Sequence, residues 1–181
     1  MKKWLFLALV LYCFAPAQAQ HHDLKFNVGG LLVKTPGLFY ELGIHPNHSA
    51  GVGLNHSWLN LKVDGERYHF RNTTFVADYR YYFIPSQDND RLFVGLYGKA
   101  GSGRLKSDED PEAIKVNKMA LGLNAGWKVV ANSGFIFEFY AGGGKTFLTH
   151  TPTTNEDLDK AIKSIPLFDF RLGITVGYRF L

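Results

Sequence analysis

The sequence predicts an all-β fold: an eight-stranded antiparallel up-and-down transmembrane β-barrel with a filled polar interior. Three observations point to it. Apolar and polar residues alternate with period two from about residue 24 to the end of the chain, as in strands with two unlike faces. Charged residues and glycines share one face, while aromatic and aliphatic residues hold the other. The alternating segments number eight, and the connections between them alternate between short turns and longer, more polar loops.

The chain opens on "MKKWLFLALVLYCFAPAQAQ", with Lys2 and Lys3, an apolar run from Trp4 to Ala15, and Ala17-Gln18-Ala19. This is the layout of a secretory signal peptide over residues 1–19, too short to span a bilayer, and it places the barrel domain in residues 20–181. The single cysteine, Cys13, lies in that segment behind bulky Tyr12, so the exported chain is expected to hold no disulfide, thiolate nucleophile or sulfur-ligated metal. Removing Lys2 and Lys3 from the 20 basic residues leaves 18 against 16 acidic ones, a net +2 that argues for no nucleic-acid partner. No run of 18 apolar residues follows, so a membrane-spanning helix is not expected.

The strands are expected at residues 24–34, 37–45, 49–62, 68–84, 91–106, 115–130, 134–149 and 166–180. The first two come from "LKFNVGGLLVKTPGLFYELGI", turning at Lys34-Thr35-Pro36-Gly37, and "HPNH" (45–48) turns the chain into the third. The fourth contains "TTFVADYRYYF", which sets Phe75, Ala77, Tyr79, Tyr81 and Phe83 against Thr74, Val76, Asp78, Arg80 and Tyr82. "PSQDND" (85–90) leads to the fifth. The sixth, "NKMALGLNAGWKV", sets Met119, Leu121, Leu123, Ala125, Trp127 and Val129 against Lys118, Ala120, Gly122, Asn124, Gly126 and Lys128. "ANSG" (131–134) leads to the seventh, "FIFEFYAGGGKT". In the eighth, Phe168, Phe170, Leu172, Ile174, Val176, Tyr178 and Phe180 alternate with Asp169, Arg171, Gly173, Thr175, Gly177 and Arg179. "VDGER" (63–67), "SDEDPEA" (107–113) and "TPTTNEDLDKAIKS" (151–164) include the longer, charged loops.

The glycines decide which face is inside. Exposed strand positions favour Thr and β-branched residues over Gly, whereas a narrow eight-stranded lumen needs glycines to make room for side chains that cross it. The lumen is therefore expected to hold Lys25, Arg80, Lys99, Lys118, Lys128, Arg171 and Arg179 against Glu41, Asp78, Glu138 and Asp169, a structural ion-pair network forming a plug. Trp58, Tyr81, Phe83, Trp127, Phe147, Tyr178 and Phe180 fall near strand ends, as in aromatic girdles at the headgroup level. Lys145 and His56 carry lipid-facing parity, explained by lipid phosphates near the upper rim or by a bulge that shifts the register.

"AGGGKT" (141–146) is no phosphate loop. That motif needs a glycine at position 139, which is Phe, and a helix after the strand. Here Gly142 and Gly144 are expected to point inward beside Glu138 and Tyr140, with Phe135, Phe137 and Phe139 outward.

On "LKFNVGGLLVKTPGLFYELGI", "SAGVGLNHSW", "FVADYRYYF" and "GITVGYRFL", the chain resembles small outer-membrane barrels of the OmpA/OmpX type and, more closely, a Bacteroidota barrel family of undefined function. The resemblance implies an outer-membrane location and no catalytic residues. It implies outer-membrane lipids, lipopolysaccharide and the barrel-assembly machinery as partners of a monomer without cofactor. Such barrels usually end on an aromatic residue, whereas Leu181 follows Phe180 here.

Two rival readings remain open. A lipid deacylase or acyltransferase would need a histidine and a serine on one strand face, but His48-Ser49 and His56-Ser57 are adjacent, and His150 has Thr149 and Thr151 as its neighbours. A soluble periplasmic barrel would need an apolar ligand pocket. No metal site is expected. His21-His22 reads as tail, His45 and His48 flank a Pro-Asn turn, and "SDED" (107–110) lacks the glycine and terminal glutamate of a calcium loop.

Overall fold

A computed structural model describes residues 21–63, 66–107, 113–150 and 168–180. Its strands are β1 (His22–Asn27), β2 (Gly37–His45), β3 (His48–Val63), β4 (Glu66–Tyr82), β5 (Arg91–Ser107), β6 (Ala113–Val130), β7 (Phe135–His150) and β8 (Phe168–Phe180). Each pairs antiparallel with its neighbour in sequence, and β8 returns to β1, closing the barrel that the alternation predicts. The β1–β8 ladder joins His22–Asn27 to Thr175–Phe180, so the strand pairing is continuous around the lower part of the barrel.

The register sets the tilt. Partners followed around the wall from Leu24 run through Tyr40, Val52, Ala77, Gly98, Leu121 and Lys145 to Phe168, yet the β8 residue opposite Leu24 is Tyr178. One circuit thus slips ten residues along the strand, so the strands lean against the barrel axis. At about 3.3 Å per residue and a lean of roughly 40°, the span from Phe168 to Tyr178 is about 25 Å tall, the height of a membrane-crossing apolar band.

Two expectations about the strands and loops need correction. The first strand does not continue to residue 34. It ends at Asn27, and a single helical turn, α1 (Gly29–Leu32), replaces its upper half. Asn27 Oδ1 accepts the Gly30 N–H at 3.0 Å, and Gly30 O accepts the Thr35 N–H at 2.6 Å, so the chain coils where the apolar run alone suggests extension. A Cβ at Gly30 would collide with the Thr35 carbonyl, which leaves that position to glycine. The second correction is "VDGER", which is no long loop: the β3–β4 ladder runs up to the pair Val63 and Glu66. Residues 151–167 and 108–112 lie outside the described residues, and with them most of the other two long loops.

Inside, rings seat on glycines. Tyr82, Phe93 and Tyr140 form a buried cluster across β4, β5 and β7. The Tyr140 ring occupies the space a side chain at Gly173 would need, and the Tyr97 hydroxyl lies against Gly122. The glycine run has the same cause at the backbone: a Cβ at Gly144 would meet the Leu121 carbonyl and come within 2.6 Å of Gly122 Cα. Gly98 is different, because it faces outward and a Cβ there meets only Leu121 Cδ2 at 3.5 Å. Gly144→Val is therefore expected to destabilise the barrel by about 1–3 kcal/mol or more through overpacking, while Gly98→Val leaves it unchanged or stabilised. Urea unfolding in lipid vesicles compares the two.

Candidate functional site

Strand parity sends alternate side chains of every strand into one narrow tube, and there they form a continuous column of charge. At its base, Asp23 accepts both Nε (2.7 Å) and Nη2 (2.9 Å) of Arg179, a two-toothed grip, and Lys128 Nζ at 2.8 Å. Lys128 also donates to Glu41 Oε1 at 2.7 Å, where the Tyr82 hydroxyl donates as well. Glu41 Oε2 accepts Lys25 at 2.5 Å and Arg80 at 3.0 Å, and the same two cations reach Glu138 Oε2 at 2.7 and 2.8 Å. Higher up, Asp78 joins Arg80 (3.2 Å) to Arg171 (2.8 Å). The Arg171 guanidinium lies over the Tyr140 and Tyr97 rings, and Tyr97 donates to Asp169 at 2.9 Å. Asp169 ends the column with Lys99 at 2.7 Å and Lys118 at 3.1 Å.

All eleven charged residues expected in the lumen face it, and Asp23 is a twelfth. The signal for Asp23 was available, because it shares the parity of Lys25 and lies just before the expected strand start. Of the charged residues named for the lumen, β3 supplies none, placing Ser49 and Gly51 beside them instead.

The two ends differ. Below, the turn after β4 folds under the opening: Asn89 is buried and donates to the His45 and Pro46 carbonyls, while Arg179 Nη1 holds the Gln87 and Asp88 carbonyls at 2.6 and 2.8 Å. Asp90 accepts the Ser86 and Gln87 N–H groups and keeps the turn compact. His21 and His22, expected as tail, are instead part of the barrel: His22 opens β1, and His21 is buried beside Asn89 of the turn and Gly43, its carbonyl accepting the Gly43 N–H at 3.1 Å. No periodicity betrays such a turn, and the sequence shows it only as "PSQDND". At the upper end a polar cavity of about 200 Å³ remains, lined by Asn55, Ser57, Asn72, Thr74, Lys99 and Lys118 among others.

Outside, every strand exposes large apolar residues, among them Leu24, Tyr40, Val52, Phe75, Leu96, Leu123, Phe139 and Ile174, one from each strand. Trp58, Tyr81, Phe83, Trp127, Phe147, Tyr178 and Phe180 also lie on the outer surface. Tyr81, Phe83, Trp127, Tyr178 and Phe180 lie toward the end with the short turns, and Trp58 and Phe147 toward the opposite end. Lys145 and His56 face outward in an unbroken register, so no bulge accounts for them. His56 Nδ1 is 3.0 Å from Thr73 Oγ1, and Lys145 sits over Phe147.

The adjacent pairs His48-Ser49 and His56-Ser57 do not bring their side chains together. Ser49 and Ser57 turn inward, while His48 faces out against the Tyr79 hydroxyl (2.6 Å) and His56 faces out beside Trp58. Among the described residues no group of three His, Cys, Asp or Glu could hold a metal.

Residues 5–163 match the model of a family described as "Protein of unknown function (DUF3575)". The chain belongs to this family. Among solved structures, a crystal structure of a major outer membrane protein from Thermus thermophilus is similar at 13% identity and a TM-score of 0.49, over 88% of this chain and 99% of that one. Among curated proteins, none matches.

The column gives this DUF3575 protein a graded sensitivity to substitution. Glu41→Gln leaves Lys25, Arg80 and Lys128 short of one negative charge in a sealed interior, with an expected cost of about 3–5 kcal/mol. Lys118→Gln, at the half-open upper end, is expected to cost about 0–1 kcal/mol. Urea midpoints in vesicles separate the two. His21, which precedes β1, has its pKa lowered from 6.5 to about 4 by burial first and then by Arg179 and Lys128, against opposing pulls from Asp23 and Glu41. The unfolded chain therefore binds the proton first, so stability is full above about pH 6.5 and falls as the pH drops toward 4. Unfolding midpoints between pH 7 and 4 are expected to fall less steeply in His21→Gln.

Proposed function

We propose that this protein is a non-enzymatic β-barrel of the bacterial outer membrane, a structural or surface-interaction element that works through its rigid wall and outer loops and conducts nothing. One observation carries the reading: all eight strands turn large apolar side chains outward, while Lys25, Arg80, Glu41 and Glu138 are buried along the axis. A water-soluble barrel distributes these groups the other way round. A periplasmic ligand-binding barrel would need an apolar interior, and the interior here is filled by charges and rings. A closed barrel is also one of the two architectures that can satisfy every backbone group in hydrocarbon.

The packed column and the turn held by Arg179 support a plug. The placement of His56 and Ser57 on opposite faces weighs against lipid hydrolysis or acyl transfer at that pair. Residues 1–19 fit an export signal, and the outward Tyr178 and Phe180 of β8 fit a closing strand read by the barrel-assembly machinery.

Protein purified from outer membranes is expected to migrate faster on a gel before boiling than after, and to give no steady conductance in planar bilayers. Unshifted migration would count against a membrane-embedded barrel, and steady channels would count against the plug.

A further inference from the structure

The outer wall carries an unmatched feature on one side. Arg71, Arg104 and Lys115 are direct cross-strand partners on β4, β5 and β6, all outward and exposed, and Lys145 is exposed on β7. Like charges placed opposite one another in a ladder are destabilising. Nothing on the described chain relieves them, because none of the four forms an ion pair with another described residue. Once the ten-residue slip is allowed for, Lys145 stands near the height of His56, Arg71 slightly above Trp58, and Arg104 and Lys115 higher still. The four cations thus bracket the upper aromatic residues Trp58, Phe147 and Phe168, where headgroups meet hydrocarbon.

The same four strands hold a hollow beneath them. An apolar depression of about 670 Å³ on the outer wall is lined by Tyr79, Tyr81, Leu96, Leu123, Ala125 and Ala141. Ala125 and Ala141 leave room for it between the larger Tyr79, Tyr81, Leu96 and Leu123.

We propose that β4 to β7 form a lipid-binding site for a doubly phosphorylated, multiply acylated glycolipid, its phosphates on Arg71, Arg104, Lys115 and Lys145 and an acyl chain in the hollow. Charge complementarity selects the anion. The spread selects more than one phosphate: Arg71, Arg104 and Lys115 stand on adjacent strands about 4.8 Å apart, whereas Lys145 pairs with Leu121, six residues along β6 from Lys115, and so lies roughly 20 Å from it, beyond the reach of a single phosphate. The site rests on the membrane-barrel reading above and names its lipid partner.

The test uses the full chain in detergent micelles, titrated with bis-phosphorylated lipid A, its dephosphorylated form, phosphatidylglycerol and cardiolipin, with binding read by native mass spectrometry. Lipid A is expected to bind most tightly. The variant Arg71→Gln/Arg104→Gln/Lys115→Gln is expected to bind it about a hundredfold more weakly while keeping its heat-dependent gel shift. Ala141→Phe, which fills the hollow, is expected to weaken lipid A binding without changing that shift. Equal binding of dephosphorylated lipid A, phosphatidylglycerol or cardiolipin, or full affinity in the triple variant, would overturn the site. Loss of the gel shift in the wild-type protein would instead overturn the membrane reading beneath it.

Discussion

A carboxylate sealed inside a narrow tube stays ionised only if cations lie within contact distance, and Glu41 has three: Lys25, Arg80 and Lys128. The rest of the structure answers to that requirement. Lys25 arrives from β1, Arg80 from β4 and Lys128 from β6, so the strands must hold a register that brings three distant stretches to one point on the axis. A slip of one residue in any of them would swing its cation out to the wall and bring an apolar residue in. The charges thus fix the register as firmly as the apolar band fixes the face.

Crowding follows from the same constraint. An eight-stranded lumen has little room, and the column fills it with long side chains, so the rings packed between them need bare backbone to rest against. Tyr140 on Gly173 and Tyr97 on Gly122 are the result, and the glycine run 142–144 belongs to that packing rather than to any phosphate chemistry. The column is also unequal along its length. Its base is shut by the turn bearing Asn89, which Arg179 grips from inside, while its top loosens into a small polar cavity around Lys99 and Lys118. Stability is concentrated in the buried base and centre, leaving the upper end freer to vary.

Much of this was legible in the chain because a strand alternates with a fixed period of two, and a period reveals a face without revealing a fold. Lys25, Asp78, Glu138 and Arg171 are placed by parity alone. Asp23 obeys the same parity and was missed because it lies one residue before the expected strand start at 24. The error at residues 28–34 has another origin: Leu31 and Leu32 extend an apolar pattern, while the Asn27 side chain draws the chain into a helical turn at Gly30, a local hydrogen bond that no periodicity records. Asn89 was illegible because a turn carries no period at all. Lys145 and His56 were correctly assigned to the outer face, and the intact register removes the bulge as an explanation.

By itself the sequence determined the eight strands, their inner and outer faces and the excess of charge on the inner one, since each is a property of neighbouring residues along a single strand. Which cation meets which carboxylate, how far the register slips in one circuit, and that Arg71, Arg104 and Lys115 stand side by side were decided only by the closed barrel. Those relations join residues on different strands, and closure with a ten-residue slip is what converts separate faces into one axis and one wall.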